Sequence, residues 1–475
     1  MNTETVNTVN TVNTSYRESI DSFIKSDTRN LFIAAGAGCG KTTTIVHNYK
    51  EIGNPFNGFL AFNKSIADEL KMRGVSAQTM HSLGLSLLRK VKKNPKIEAD
   101  KIKIIIKNKF SFIESKDIFV ISRLISLFKN IGLEINQENI DFLIFEYGLE
   151  IPETIIAQGL SGIVKDILTV NNDNFDIIDF DDMIYLPVIH GMIKKTFKTL
   201  FIDESQDLNN IQFRLISGLA DRYIFVGDKY QSIYGFRGAN TNIVNEIINS
   251  FNCEELPLPV TYRCPKSHVN LVNSKFPEIS FIAKDGAKEG EIIKDNPPFS
   301  DNEMILCRFN APLVRTAFQL IRDGKKASIK GRDIGKGLIS IIKKSKLYSL
   351  NEFATWLDNW KDQQISRAKN ESMISGIEDR YSCLKVLMEN DFNTTEQLIN
   401  FITDLFSDDK PGIILSSVHR AKGLESDTIR IIEPGAFGFI RSKAKNQDQK
   451  DQERNCEYVA YTRSKNKLII SKKEE

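Results

Sequence analysis

Residues Asn30 to Lys50 read NLFIAAGAGCGKTTTIVHNYK, and this stretch decides the fold. A short apolar run, LFIAA, passes into a glycine-rich loop and then into a helix-forming segment. Gly36, Gly38 and Gly40 let the loop backbone turn its N–H groups inward. The helix that follows adds the positive end of its dipole. Strand, loop and helix in that order form a cradle for phosphate oxygens. The candidate ligands are Gly36, Ala37, Gly38, Cys39, Gly40, Lys41, Thr42 and Thr43. Lys41 has the reach for β- and γ-phosphates, and the Thr42 hydroxyl suits Mg²⁺. Ala35 stands where such loops begin with glycine, a departure that the strand–loop–helix context offsets. Cys39 stands where similar loops carry Ser. Beside backbone amides and Lys41, its thiol is expected to be reactive.

The same switch from strand to loop recurs along the chain. GFLAFNKS (Gly58 to Ser65), TLFIDESQD (Thr199 to Asp207) and YIFVGDKYQ (Tyr223 to Gln231) all follow it. Strands alternating with helical stretches point to an α/β fold with a parallel, doubly wound sheet. Asp203 and Glu204 end one of these strands. Adjacent carboxylates beside a phosphate loop suit a metal-assisted hydrolysis. Asp203 is expected to hold Mg²⁺ through water, and Glu204 to polarise the attacking water. Loop and acid pair together point to hydrolysis of ATP.

The chain has 475 residues, more than one compact domain usually holds. Hydrophobic content is 41% and charged content 26%, as in soluble globular proteins. No apolar run is long enough for a membrane span, and no membrane partner is expected. Net charge is only +3, so composition alone does not call for nucleic acid. None of the 6 Cys forms a CxxC pair, and the 5 His include no HxxxH spacing. Zinc chemistry and a disulfide framework are therefore excluded as expectations, and a cytoplasmic setting fits. The repeated Thr-Val-Asn of residues 1–14 reads as a disordered tail, with Ser15 as a possible cap of the helix after it. Residues 15–86 and 176–250 form the first α/β lobe, interrupted by a helical insertion at 87–175. Residues 251–339 and 409–475 form the second, interrupted by a short helical insertion at 340–408.

One further loop, VGDKYQSIYGFRGAN (Val226 to Asn240), combines an amide with aromatics and a cation. It belongs to an ordered set: AGAGCGKTTT, FLAFNKSIADEL, AQTMHSLG, DFDDMI, FIDESQDLN, VGDKYQSIYGFRGA, VTYRCP, SSVHRAKGLESDTIRII and EYVAYTRSKNKLII. This set resembles superfamily 1A helicases of the UvrD/Rep/PcrA type. The wording AFNKSIADEL is most similar to the F-box-helicase branch, although no F-box segment is evident.

The resemblance implies two RecA-like P-loop lobes, each with a mainly helical insertion. It implies that Gln231 senses the γ-phosphate, and that Arg263 and Arg463 reach it as arginine fingers. Tyr262 becomes an adenine-stacking face and Glu425 a ribose contact. It makes Phe62, Asn63, His81, Tyr234, Phe236, Arg237 and His419 DNA contacts, with Lys64 a further candidate. Base stacking on aromatics tolerates any sequence. The implied activity is that of an ATP-driven single-stranded DNA translocase and helicase running 3′→5′. Its expected partners are single-stranded and tailed duplex DNA, and a nuclease or a replication or repair protein. The alternative is a nucleotide-gated DNA-binding sensor that works with a nuclease. The family's adenine-reading glutamine has no counterpart. Glu18 stands nearest, and an ionised carboxylate can accept from the adenine amine but cannot donate to the ring nitrogen.

Overall fold

The computed structural model describes residues 5–147, 149, 151–233, 242–367, 371–389, 392–406, 412–443 and 447–472. The chain divides into two units. The first comprises Met1–Gly36 and Gly40–Leu258, and the second Ala37–Cys39 and Pro259–Glu475.

The first unit is built on a six-stranded sheet. In spatial order its strands are Ala77–Thr79, Gly58–Ala61, Phe197–Ile202, Ala220–Gly227, Leu31–Ala35 and Glu254–Leu258, all parallel. The central strands read as continuous apolar runs because helices cover both faces of a parallel sheet. Leu31, Phe32 and Ile33 are buried, as are Leu200, Phe201 and Ile202. Glu254–Leu258 instead alternates in burial, as an edge strand does, and tolerates Pro257 there. That strand corrects the boundary expected at 250. Its alternating pattern hid its membership of the first sheet, and the unit runs on to Leu258.

The first helix spans Thr5–Ser26, so residues 5–14 of the expected tail are helical and the cap expected at Ser15 lies inside the helix. Ile20 and Ile24 bury its C-terminal half. The Thr-Val-Asn repeat holds neither Gly nor Pro, so the packed half propagates N-terminally through it. Arg222 closes the other end, donating to the Ile24 carbonyl at 2.7 Å and the Phe23 carbonyl at 3.3 Å.

Between Thr79 and Phe197 the described residues contribute helices and a short parallel pairing of Lys96–Ile97 with Ile177–Ile178. Helix Ile118–Ile131 buries Ile121, Leu124, Ile125 and Phe128, one face at helical spacing. These side chains join the sheet in a single core with Leu60, Leu200 and Phe225. Gly84 packs so tightly that a Cβ there would overlap the Met183 carbonyl.

A buried charge cluster ties these helices to the DFDDMI segment. Lys129 Nζ lies 2.6 Å from Asp179 and 2.8 Å from Asp182, and Lys101 Nζ lies 2.7 Å from Asp182. Burial pushes the Asp182 carboxyl up, yet the charges of Lys129 and Lys101 outweigh it and hold the group below the ordinary carboxylate range.

The second unit repeats the plan. Its six strands run Glu291–Ile293, Ser464–Ile470, Ser426–Ile431, Met304–Cys307, Ile413–Ser417 and Ala327–Ile329, again all parallel. Helices Arg332–Ser345, Leu350–Arg367, Glu371–Met388 and Thr395–Leu405 lie between the last two strands of that order in sequence. They share one core with the sheet, through Leu338, Phe353, Leu384 and Ile402 against Ile305, Ile329 and Leu415. Asp379 also caps helix Asn310–Arg322, accepting from the backbone N–H groups of Asn310 and Ala311, each at 2.9 Å. Among the described residues no helix is long and apolar enough to cross a membrane.

Lys129→Met should cost about 3–5 kcal/mol, because it leaves two buried carboxylates without their shared cation. Urea unfolding of both proteins measures this. A loss below about 1 kcal/mol would show that the cluster does not hold the insertion.

Candidate functional site

Three neighbouring strands of the first sheet, Phe197–Ile202, Ala220–Gly227 and Leu31–Ala35, deliver their carboxyl ends to one place. Ligands of open α/β sheets bind at such ends. Ala35 still belongs to its strand and pairs with Leu258, so no glycine is needed there. Gly38 and Gly40 take φ of 70° and 79°, the left-handed region that glycine enters freely. Gly40 caps helix Lys41–Ile52, whose first N–H groups face the loop.

The acid pair meets that helix. Thr42 Oγ1 donates to Asp203 Oδ2 at 2.6 Å, and the Glu204 N–H donates to Asp203 Oδ1 at 2.9 Å. Lys41 Nζ stands 3.7 Å from Glu204 Oε1. Burial, reinforced by the neighbouring Glu204 charge, pushes the Asp203 carboxyl up to about 6. Glu204 takes φ 50°, which costs a non-glycine residue about 1–2 kcal/mol. A 3₁₀ turn, Ser205–Asp207, follows it. Gln231 is buried one turn beyond the adjacent strand, its Nε2 donating to Asp228 Oδ2 at 2.6 Å. Lys41, Thr42, Asp203 and Glu204 thus converge as their motifs predict.

Within the second unit, Tyr262, Arg263, Lys284, Lys288, Glu425 and Lys465 line a cleft of about 590 Å³. Arg263 Nε donates to Glu425 Oε2 at 2.6 Å, and Lys465 Nζ lies 2.7 Å from Glu425 Oε1. Burial pushes the Glu425 carboxyl up, but Lys465 and Arg263 outweigh it and hold it below the ordinary range. Arg463 is buried, its Nη2 donating to Thr462 Oγ1 at 3.0 Å, while Arg263 Nη1 donates to the Thr462 carbonyl at 3.3 Å. Tyr262 stays 43% exposed.

The family profile for the UvrD/REP helicase N-terminal domain matches residues 59–252. F-box DNA helicase 1 of Gallus gallus is 24% identical over 92% of this chain and 47% of its own. ATP-dependent DNA helicase Rep of Buchnera aphidicola is 29% identical over 51% of this chain and 42% of its own. ATP-dependent DNA helicase PcrA of Staphylococcus epidermidis is 23% identical over 93% of this chain and 81% of its own.

The chain is similar to the UvrD/Rep/PcrA-like helicases of superfamily 1A.

It spans less than half the length of the chicken and Buchnera proteins. An Arterivirus nonstructural protein 10 helicase also matches 95% of the chain, but at 10% identity and a TM-score of 0.36 that likeness carries no argument.

Other residues of this UvrD/Rep/PcrA-like chain fall variously. Phe62 is exposed beside Asn63, whose Oδ1 accepts the Ile66 N–H at 2.9 Å and so caps helix Lys64–Met72. His81 is half-buried, and burial holds its imidazole below the ordinary histidine value against the pull of Asp181. His419 Nε2 lies 3.4 Å from the buried Cys456 Sγ. Ala37 and Cys39 are buried, which argues against the reactive thiol expected at Cys39, whereas Thr43 is exposed. Tyr234, Phe236 and Arg237 lie outside the described residues. Among the described residues no cluster of three or more His, Cys, Asp or Glu could hold a metal alone. Thr42 and Asp203 supply hard oxygens beside a phosphate cradle, the set Mg²⁺ takes together with substrate phosphates.

Two residues escaped the sequence reading. Glu18 is exposed, lining a surface groove with Ser15 and Ser22, while its neighbour Arg17 reaches Gly40. A Cβ at Gly40 would come within 2.9 Å of the Arg17 guanidinium. Gln206 is the other, fully buried behind Glu204. Helical spacing on the first helix was the only available signal for Arg17, and no local signal marked Gln206.

Asp203→Asn should stabilise the nucleotide-free protein at pH 7.5. The folded value near 6 lies above the ordinary 3.8, so folding favours the protonated carboxyl. The ionisation penalty is present in full above pH 6 and disappears as pH falls towards 4. The variant's advantage should be on the order of 1–3 kcal/mol at pH 7.5 and shrink by pH 4.5. Denaturation of both proteins at the two pH values checks this, and an advantage independent of pH would contradict it.

Proposed function

We propose that this chain is an ATP-dependent translocase on single-stranded DNA and a DNA helicase, moving 3′→5′. The observation that carries the reading is the convergence of Lys41, Thr42, Asp203 and Glu204 at the carboxyl ends of one parallel sheet. The names of the relatives, ATP-dependent DNA helicases Rep and PcrA, supply the substrate class.

In this mechanism the loop N–H groups and Lys41 hold the β- and γ-phosphates. Thr42 and Asp203 would hold Mg²⁺, which when bound would supply charge neutralisation on the phosphates. Glu204 accepts a proton from the attacking water. Gln231 contacts the γ-phosphate, and Arg263 and Arg463 stabilise the charge that develops in the transition state. Tyr262 stacks on adenine and Glu425 contacts the ribose, which requires Arg263 and Lys465 to loosen their hold on that carboxylate. Phe62 and His81, with Tyr234, Phe236, Arg237 and His419, meet the DNA. Asn63, which also caps the helix after it, meets the DNA beside Phe62.

A nucleotide-gated DNA sensor working with a nuclease is the second reading. It is favoured by the second insertion, whose helices are absorbed into the core of their own unit.

ATPase activity with and without single-stranded DNA tests the proposal, followed by unwinding of 3′- and 5′-tailed duplexes. Hydrolysis should be DNA-stimulated, and only the 3′-tailed duplex should open. Lys41→Ala should weaken nucleotide binding. Glu204→Gln should bind ATP normally while turnover falls about 10²–10⁴-fold. Stimulation without unwinding selects the sensor. Unstimulated hydrolysis removes both readings.

A further inference from the structure

Gln206 is buried completely and has no part in the mechanism above. Its carboxamide is engaged at both ends. Nε2 donates to Glu204 Oε2 at 2.6 Å, and Oε1 accepts the Asp228 N–H at 3.1 Å. The Asp228 side chain continues the line, accepting the Tyr230 N–H at 3.1 Å on Oδ1 and Gln231 Nε2 at 2.6 Å on Oδ2. One neutral amide therefore stands between the acid of the proposed base and the turn that carries the proposed γ-phosphate contact.

The chemistry of that position is narrow. The group must donate to a carboxylate on one side and accept an N–H on the other. A carboxamide does both; a glutamate lacks the donor and a lysine lacks the acceptor. Glu204 needs such a hold, because its left-handed backbone at φ 50° takes it out of any regular ladder. The neighbouring strand leaves room for the amide. A Cβ at Gly227 would come within 2.9 Å of Gln206 Oε1 and 2.8 Å of Ser205 Oγ. Ser205 Oγ is itself tied to the Val226 carbonyl at 2.9 Å, so it cannot yield cheaply.

We infer that Gln206 is a positioning residue, which orients the Glu204 carboxylate and joins it to the Asp228–Gln231 turn. The inference rests on the proposed role of Glu204 as the base. Gln206 touches no reacting atom and acts only through Glu204.

The test is a double-mutant cycle on the full chain, with ATP turnover measured in the presence of single-stranded DNA. Gln206→Leu should lower kcat about 10- to 100-fold, as expected for a misplaced catalytic group, and leave KM for ATP within about twofold. In the Glu204→Gln background, followed under single-turnover conditions, the same change should have almost no further effect. Gly227→Ala, which displaces the amide without removing it, should reproduce the kcat loss and its dependence on Glu204. It carries the cycle if Gln206→Leu does not fold. Equal losses in both backgrounds, or an unchanged kcat, would overturn the inference while leaving Glu204 as the base. Wild-type turnover in Glu204→Gln alone would instead remove the base assignment, and the inference with it.

Discussion

A buried carboxylate organises the first unit's site. Asp203 lies at a strand end, out of water, where an unsatisfied charge would be costly. Two donors meet it, the Thr42 hydroxyl from the helix after the phosphate loop and the Glu204 N–H from its own turn. That pair of bonds fixes the loop helix to the acidic strand across the strand that lies between them. The same constraint bends the chain at Glu204 and so decides which way the second carboxylate points. Its remaining penalty, a carboxyl pushed up to about 6, is the kind of strain that binding sites retain and ligands relieve.

The two units solve a shared problem in similar ways. Each inserts a helical segment between strands of a parallel sheet, and each absorbs those helices into the sheet's own core. Polar ties then set the register of the added helices. In the first unit the tie is the lysine–aspartate cluster around Asp182, which is dry and doubly paired. In the second it is Asp379, a side chain of the insertion that caps a helix of the sheet layer. Shape-neutral apolar contacts hold the layers together; these directional bonds choose one arrangement among several.

Glu425 is kept in order by two cations. Arg263 and Lys465 both engage it, so its charge is compensated and its carboxyl stays ionised. The cleft beside them is lined by further lysines, which suits an anionic ligand.

Much of this was legible in the chain's order of residues, because the decisive signals are local. LFIAA before GAGCGKT specifies strand, loop and helix from neighbours alone, and strands such as MILC, IILSS and KLII announce themselves as apolar runs. Lys41, Thr42, Asp203 and Glu204 could be named because their motifs carry fixed spacing. What the sequence could not settle depends on distant partners. Glu254–Leu258 alternates in burial and lies just beyond the boundary expected at 250, since only its pairing with Leu31–Ala35 assigns it to the first sheet. That Arg17, rather than its neighbour Glu18, lies against Gly40 depends on which face of the first helix packs inward. Gln206 joins Glu204 to Asp228 through bonds between two strands that are adjacent only in the folded sheet. Local chemistry determined which groups the protein possesses; tertiary packing alone decided which of them touch, because a parallel sheet brings strand ends together regardless of their separation in the chain.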